Sequence, residues 1–98
     1  MKTLEEVRGE LKTLKPILRK RFKVETIDIF GSYARRQTDE KSDIDLLVTY
    51  SAPDYDYFTI LGLRNYLQRK LHMKVDIVSK EFLNKHIKDE VLKEAIPV

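Results

Sequence analysis

Two aspartates within an apolar segment constrain the fold of this chain more than any other feature. Residues 43–48 read Asp-Ile-Asp-Leu-Leu-Val, and apolar, β-branched residues of this kind predict a strand over residues 44–50. Because side chains alternate across a strand, Asp43 and Asp45 lie on one face, while Ile44 and the alternate residues after it lie on the other. Two carboxylates on one face repel each other unless a cation lies between them, and Mg²⁺ or Mn²⁺ prefers such oxygen ligands.

A second short apolar segment carries a third aspartate. Asp76 is flanked by valine and isoleucine in residues 74–78, which predict another strand. If that strand lies beside the first, three carboxylates can bind two magnesium ions about 4 Å apart, one activating an attacking hydroxyl and one clamping a triphosphate. This is the chemistry of nucleotidyl transfer. A lone aspartate in a strand is often only an exposed position, and we keep that interpretation for Asp28.

A Gly-Ser pair ends the strand predicted over residues 24–30. Gly31 lets the backbone approach a ligand closely, and a short helix opening at Ser32 would present amides to phosphate. Ser32 can donate a hydroxyl hydrogen bond, and Arg35 can contact phosphate oxygens or brace the acidic site. An isolated Gly-Ser pair is usually only a turn, and an isolated Asp-x-Asp a loop end or a cap. The ordered set of all these features is what favours a catalytic site.

The remaining segments predict helices. Thr3 and Glu6 form a capping-box pattern at a helix start, after which apolar residues recur at three- and four-residue steps. Pro16 interrupts this helix, so a kink or a restart is expected there. Residues 57–71 predict a second helix, and residues 80–95 a third helix or two short ones. Helices alternating with strands predict an α/β or α+β domain with helices packed on a small sheet.

Composition further limits the number of domains, the kinds of metal site and the cellular location that are expected. A chain of 98 residues fits one domain, residues 1–98. No apolar stretch approaches the ~20 residues of a membrane span, and the N-terminus has no apolar signal core. The absence of cysteine excludes disulfides and thiolate metal sites, so a cytoplasmic location is expected. The net charge is +3, and we interpret the basic run at residues 19–23 as a solvated helix face; direct nucleic-acid binding is not expected.

Taken in order, these motifs resemble the minimal nucleotidyltransferase (MNT) family, a branch of the DNA polymerase β-like nucleotidyltransferases. Its signatures correspond here to Gly31-Ser32-Tyr33-Ala34-Arg35, to Ser42-Asp43-Ile44-Asp45-Leu46-Leu47-Val48, and to Val75-Asp76-Ile77-Val78. One departure is Arg36, where the family usually has glycine. Arg36 could change the course of the loop or add a phosphate contact, and this difference affects the loop geometry more than the catalytic residues.

The resemblance implies a nucleotidyltransferase-like fold, a small mixed sheet of three to four strands flanked by helices. It implies that Asp43 and Asp45 ligate two Mg²⁺ ions, with Mn²⁺ as an alternative, and that Asp76 ligates one and helps to activate the acceptor hydroxyl. It also implies that ATP is the substrate. The residues then expected to bind the nucleotide are Gly31, Ser32, Arg35 and Ser42.

The resemblance further implies a partner, because MNT proteins of this length commonly resemble the antitoxin of a HEPN/MNT toxin-antitoxin pair. The expected activity is transfer of AMP from ATP to a tyrosine of the HEPN ribonuclease toxin. Two alternatives stay open: a binding antitoxin that occludes its toxin without catalysis, and nucleotidyl transfer to a small molecule or RNA. Tyrosines could stack an adenine or line a partner interface, although core or boundary packing is the better interpretation for most of them. They are Tyr50, Tyr55, Tyr57 and Tyr66.

Overall fold

The computed structural model describes residues 2–37, 43–52 and 56–98. The helices are α1 (Leu4–Phe22), α2 (Tyr57–Leu71) and α3 (Lys85–Glu94), and a single 3₁₀ turn spans Lys80–Phe82. The strands are β1 (Val24–Phe30), β2 (Ile44–Tyr50), β3 (Val75–Ser79) and β4 (Ile96–Pro97). The order of elements agrees with the sequence prediction except for the short helix expected after β1, which is absent from the described residues, and for β4. Two residues are too short a strand to leave a periodic pattern.

Helix α1 begins with the predicted capping box. The Glu6 N–H donates to Thr3 Oγ1 (3.1 Å) and the Thr3 N–H donates to Glu6 Oε1 (3.3 Å), so two amides at the helix start are satisfied. The helix runs unbroken through Pro16, and the alternative of a restart there is wrong. Buried leucines at positions 11 and 18 anchor it on both sides of the proline.

The four strands form one mixed sheet in the order β3-β2-β1-β4. Strand β1 pairs antiparallel with both β2 and β4, whereas β2 and β3 are parallel. Helix α2 is the connection between the two parallel strands. Because parallel neighbours start at the same edge of a sheet, the N-terminal ends of β2 and β3 lie side by side. The mixed four-stranded sheet with flanking helices confirms the predicted fold class.

The main core lies between one face of the sheet and helices α1 and α2. It contains the alternate residues of β2 that were predicted to face away from the aspartates, Ile44, Leu46 and Val48. Leu47, on the same face as Asp45, is also buried, so the centre of the opposite face is covered as well. In the described part of the chain, no helix is both long and apolar enough to cross a bilayer.

Candidate active site

Strand pairing brings the third aspartate to the first two. Asp45 lies directly opposite Asp76 in the parallel register of β2 and β3, and Asp43 immediately precedes the first residue of β2. Neighbouring strands are about 4.8 Å apart and paired residues leave the sheet on the same face. The three carboxylates therefore share one edge and one face of the sheet.

These carboxylates act on one another electrostatically. Burial raises the pKa of Asp45 above its usual range, and the negative charges of Asp76 and Asp43 raise it further, against a lowering effect of Arg35. Glu94 adds to the increase. No described residue forms a hydrogen bond or ion pair with the Asp45 carboxylate. Among the described residues, the site concentrates negative charge with Arg35 as its opposing cation, and such an excess of carboxylates attracts a metal ion.

The donor set fits Mg²⁺ or Mn²⁺ in its chemistry, since it consists of carboxylate oxygens and contains no sulfur. Within residues 2–37, 43–52 and 56–98, no three acidic, histidine or cysteine side chains converge closely enough to hold an ion. Ion binding therefore requires the three aspartates to turn toward a common point. Asp76 is exposed and Asp43 is only half-buried, so both have room to adopt other rotamers.

Gly31 places the Gly-Ser turn directly against the acidic strand. Its φ of +73° lies in the left-handed region, and a Cβ at this position would overlap the Asp45 carboxylate. Only glycine meets both conditions without strain. The preceding residue, Phe30, pairs with Asp45 across β1 and β2, which explains why the two residues meet.

The segment after Gly31 is a single helical turn and not the short helix that the sequence predicts. The Arg35 N–H donates to the Gly31 carbonyl (3.1 Å), the Arg36 N–H to the Tyr33 carbonyl (3.1 Å), and the Gln37 N–H to the Ser32 carbonyl (2.9 Å). The last two bonds, together with a φ of +57° at Arg36, form a Schellman motif. This motif accounts for the glycine that the family usually has at the position of Arg36.

Arg36 directs its charge away from the aspartates. Its Nη1 lies 2.6 Å from Glu5 Oε1 in helix α1, and both side chains are mostly exposed. The substitution of arginine for glycine has left the turn intact and added a surface ion pair, so the structure gives no support for a phosphate contact by Arg36.

Arg35 faces the site but is already engaged by a residue that sequence reasoning missed. Arg35 Nη1 donates to Glu94 Oε1 (3.1 Å) and Oε2 (3.2 Å), and the Gly31 N–H also donates to Glu94 Oε1 (3.3 Å). Glu94 is the last residue of α3. A carboxylate in the final turn of a helix opposes the helix dipole, and this was the one local signal of a special role.

Most of the remaining residues that were predicted to bind the nucleotide or to stack on its base are half-buried, part of the core or outside the described residues. The Ser32 side chain is half-buried beside Gly31, while Ser42 and Tyr55 lie outside the described residues. Tyr50 ends β2 and is a partly buried residue packed against the core, which favours the packing interpretation for it. The Tyr66 ring lies 5.5 Å from that of Phe22 in the core.

A parallel strand pair that aligns three aspartates beside a Gly-Ser turn is the arrangement expected of a nucleotidyltransferase. The family model described as polymerase beta, nucleotidyltransferase matches residues 12–98. The chain therefore belongs to this family, and the resemblance inferred from its motifs is confirmed.

Two individual relatives are similar to this chain over nearly its whole length. The chain is 45% identical over 100 residues, spanning all of both chains, to a proposed protein adenylyltransferase of Methanocaldococcus jannaschii. It is 39% identical over 98 residues to protein adenylyltransferase MntA of Thermococcus cleftensis, covering 100% of this chain and 98% of the relative.

Solved structures agree with this family. A proposed minimal nucleotidyltransferase superposes with a TM-score of 0.84 at 32% identity, covering 99% of this chain and 97% of that one. A toxin-antitoxin structure with AMP-PNP superposes with a TM-score of 0.74 at 27% identity, covering 91% of this chain and 71% of that one.

Proposed function

We propose that this protein is an antitoxin that transfers AMP from ATP to a tyrosine of a cognate HEPN ribonuclease toxin. The alignment of Asp45 with Asp76 beside the Gly31 turn carries the proposal, because an acidic cluster then lies next to the backbone and arginine donors to which we assign phosphate binding. Two full-length relatives are named protein adenylyltransferases, and a structural neighbour is a toxin-antitoxin pair with AMP-PNP. The HEPN partner itself rests on the motif resemblance.

Asp43, Asp45 and Asp76 are the residues that would hold two Mg²⁺ ions, with Mn²⁺ as the alternative. When bound, these ions would neutralise the triphosphate and make the acceptor hydroxyl easier to deprotonate. The Gly31 N–H and the Arg35 guanidinium would bind phosphate oxygens, with Ser32 and Ser42 beside them.

Asp76 would face the acceptor, since it is the exposed member of the pair that spans β2 and β3. The tyrosine hydroxyl attacks the α-phosphorus and a new P–O bond forms. The bond to the bridging oxygen of the β-phosphate breaks and pyrophosphate leaves. The proton of the tyrosine passes to Asp76 or to water.

Intact-mass spectrometry of the cognate HEPN toxin, incubated with this protein, ATP and Mg²⁺, tests the proposal. We expect the toxin to gain one or more AMP masses, and we expect Asp43→Asn and Asp45→Asn to abolish the gain because each removes a ligand charge. Asp28→Asn is the matched control, since Asp28 lies on the same sheet but pairs with Leu47 and Pro97. It should leave the transfer intact.

Other outcomes decide among the alternatives. A stable complex with no mass gain would show that the protein neutralises the toxin by occlusion and not by catalysis. A specific observation favours testing this alternative: Tyr57 and Phe58 at the start of α2 are 69% and 79% exposed, and aromatic surface is enriched at protein interfaces. AMP incorporation into RNA or a small molecule, with none into the toxin, would instead identify a different acceptor.

A further inference from the structure

A carboxylate of the chain itself contacts the donors that the proposed function assigns to phosphate. Glu94 accepts hydrogen bonds from the Gly31 N–H and from Arg35. These two donors come from the turn that follows β1, whereas Glu94 comes from the end of α3, 59 residues beyond Arg35. The contact is therefore made by tertiary folding and not by local sequence.

A glutamate carboxylate and a phosphate group compete for such donors. Both present anionic oxygens that accept charge-assisted N–H hydrogen bonds at similar distances. The Gly31 N–H is a single donor fixed by the backbone, and it can make only one good hydrogen bond at a time. A phosphate oxygen can bind there only after the Glu94 oxygen has left.

The surroundings allow Glu94 to leave. Its side chain is 30% exposed, so it can rotate into solvent without displacing the core. Its backbone is held, because Ala95 closes α3 with an N–H bond to the Val91 carbonyl (2.9 Å) and Ile96 then pairs with Ile29 in β1. The exchange thus requires motion of one side chain and leaves the fold unchanged.

We propose that Glu94 is an internal competitor of the nucleotide triphosphate, satisfying the Gly31 and Arg35 donors in the nucleotide-free protein and giving way when phosphate binds. The inference rests on the proposed function, since it concerns the same nucleotide site. A role limited to orienting Arg35 would need only the guanidinium contact. The additional bond from the Gly31 N–H means that Glu94 occupies a backbone donor of the nucleotide site as well as the guanidinium.

Displacement of Glu94 also moves a negative charge away from the proposed nucleotide site. Among the described residues, the charges acting on Asp45 are those of Asp76, Asp43 and Glu94, opposed by that of Arg35. Because like charges repel an incoming anion, the glutamate opposes triphosphate binding both by occupying its donors and by its own charge. Removing the charge is expected to strengthen nucleotide binding.

Isothermal titration calorimetry on the full chain tests this inference, with ATP and Mg²⁺, tripolyphosphate and adenosine as separate probes. Glu94→Gln is expected to bind ATP and tripolyphosphate about threefold to tenfold more tightly than the wild type, the range for losing one partly exposed charged competitor. Adenosine, which has no phosphate, should bind all variants equally. Glu90→Gln removes the same charge one turn earlier on α3, where the residue is exposed, and should resemble the wild type.

The outcomes separate this inference from the proposed function. Unchanged or weaker ATP binding by Glu94→Gln, with the wild type binding ATP, overturns the inference alone. ATP binding by none of the variants overturns the proposed function and this inference together. Far-UV circular dichroism verifies the fold, and Glu94→Ala carries the same expected result, so a folding defect in one variant leaves the other to decide.

Discussion

Gly31 and Asp45 are in direct contact, and this contact is possible because residue 31 has no side chain. The glycine has a left-handed φ, and its missing Cβ is the space that the Asp45 carboxylate fills. Sequence alone indicated that Gly31 ends a strand and lets the backbone approach a ligand. It did not indicate that the closest neighbour is the carboxylate itself, because this depends on the pairing of Phe30 with Asp45.

Gly31→Ala is expected to destabilise the protein by about 1–3 kcal/mol, through the left-handed backbone strain and the overlap with Asp45. It should also abolish the proposed AMP transfer, because it displaces the Asp45 carboxylate on which that proposal depends. Urea denaturation measures the free energy of unfolding, and the mass assay measures the transfer.

Gly9→Ala is the control for the glycine experiment. Gly9 lies in α1, and apart from the adjacent helix backbone no described residue lies within 4 Å of the position that a Cβ would take there, so alanine should stabilise the helix by about 1 kcal/mol. A Gly31→Ala variant as stable as the wild type would contradict the close approach described for the turn.

At the scale of elements, the turn after β1 is the clearest case in which backbone geometry explains a residue choice. The family's usual glycine corresponds to Arg36, which occupies the left-handed position of a Schellman motif. Arginine is tolerated there and contacts Glu5 of α1. A short helix was predicted because the residues 32–36 permit one, but the motif ends it after a single turn.

Arg36→Gly is expected to be more stable than Arg36→Ala by about 1 kcal/mol, because glycine adopts the left-handed conformation without the clash of a Cβ. Both variants lose the contact with Glu5, so their difference isolates the backbone effect. Thermal and urea unfolding of the two proteins give the comparison. Equal stability, or a more stable alanine variant, would be inconsistent with the left-handed backbone at this position.

In the sheet, the position of a strand along the sequence was predictable, whereas the strands that it pairs with were not. The bounds of β2 follow from its own alternation, and the third strand was predicted within one residue of β3. The sequence did not predict its parallel pairing with β2, because the pairing direction depends on where helix α2 brings the chain back to the sheet. The short β4 became visible only through its bonds to β1.

For the whole molecule, the acidic cluster is expected to make stability depend on pH. The pKa of Asp45 is raised in the folded state by burial and by Asp76 and Asp43. The native protein therefore binds this proton more tightly than the unfolded chain, and stability falls as pH rises from the ordinary aspartate pKa through the raised one. Above that window the folded protein carries the full penalty.

Asp45→Asn removes the penalty. In the absence of divalent cations, we expect this variant to be more stable than the wild type at neutral pH, with the advantage disappearing below the unfolded pKa of about 4, where Asp45 is protonated in both states. Thermal unfolding at a series of pH values, in a chelator, measures the difference.

Asp28→Asn again serves as the control, since Asp28 pairs with Leu47 and Pro97 and has no carboxylate directly opposite it. This variant retains Asp45, so the pH dependence attributed to Asp45 should persist in it. A pH-independent advantage of Asp45→Asn would mean that the charge of Asp45 is not the source of the penalty.

The sequence by itself determined most of the helices and strands and the set of residues proposed for the site. Helix capping, apolar periodicity and the alternation around Asp43 and Asp45 depend on residues within a few positions of one another, so they can be read locally. The motif order also identified the family, which the full-length relatives confirm.

Only the tertiary structure decided which distant residues meet. The parallel register set Asp76 against Asp45, the turn set Gly31 on the Asp45 carboxylate, and the end of α3 delivered Glu94 to Arg35. Each of these contacts joins segments far apart in the chain. Their formation depends on strand pairing and packing across the whole domain, for which local residue preferences carry no information.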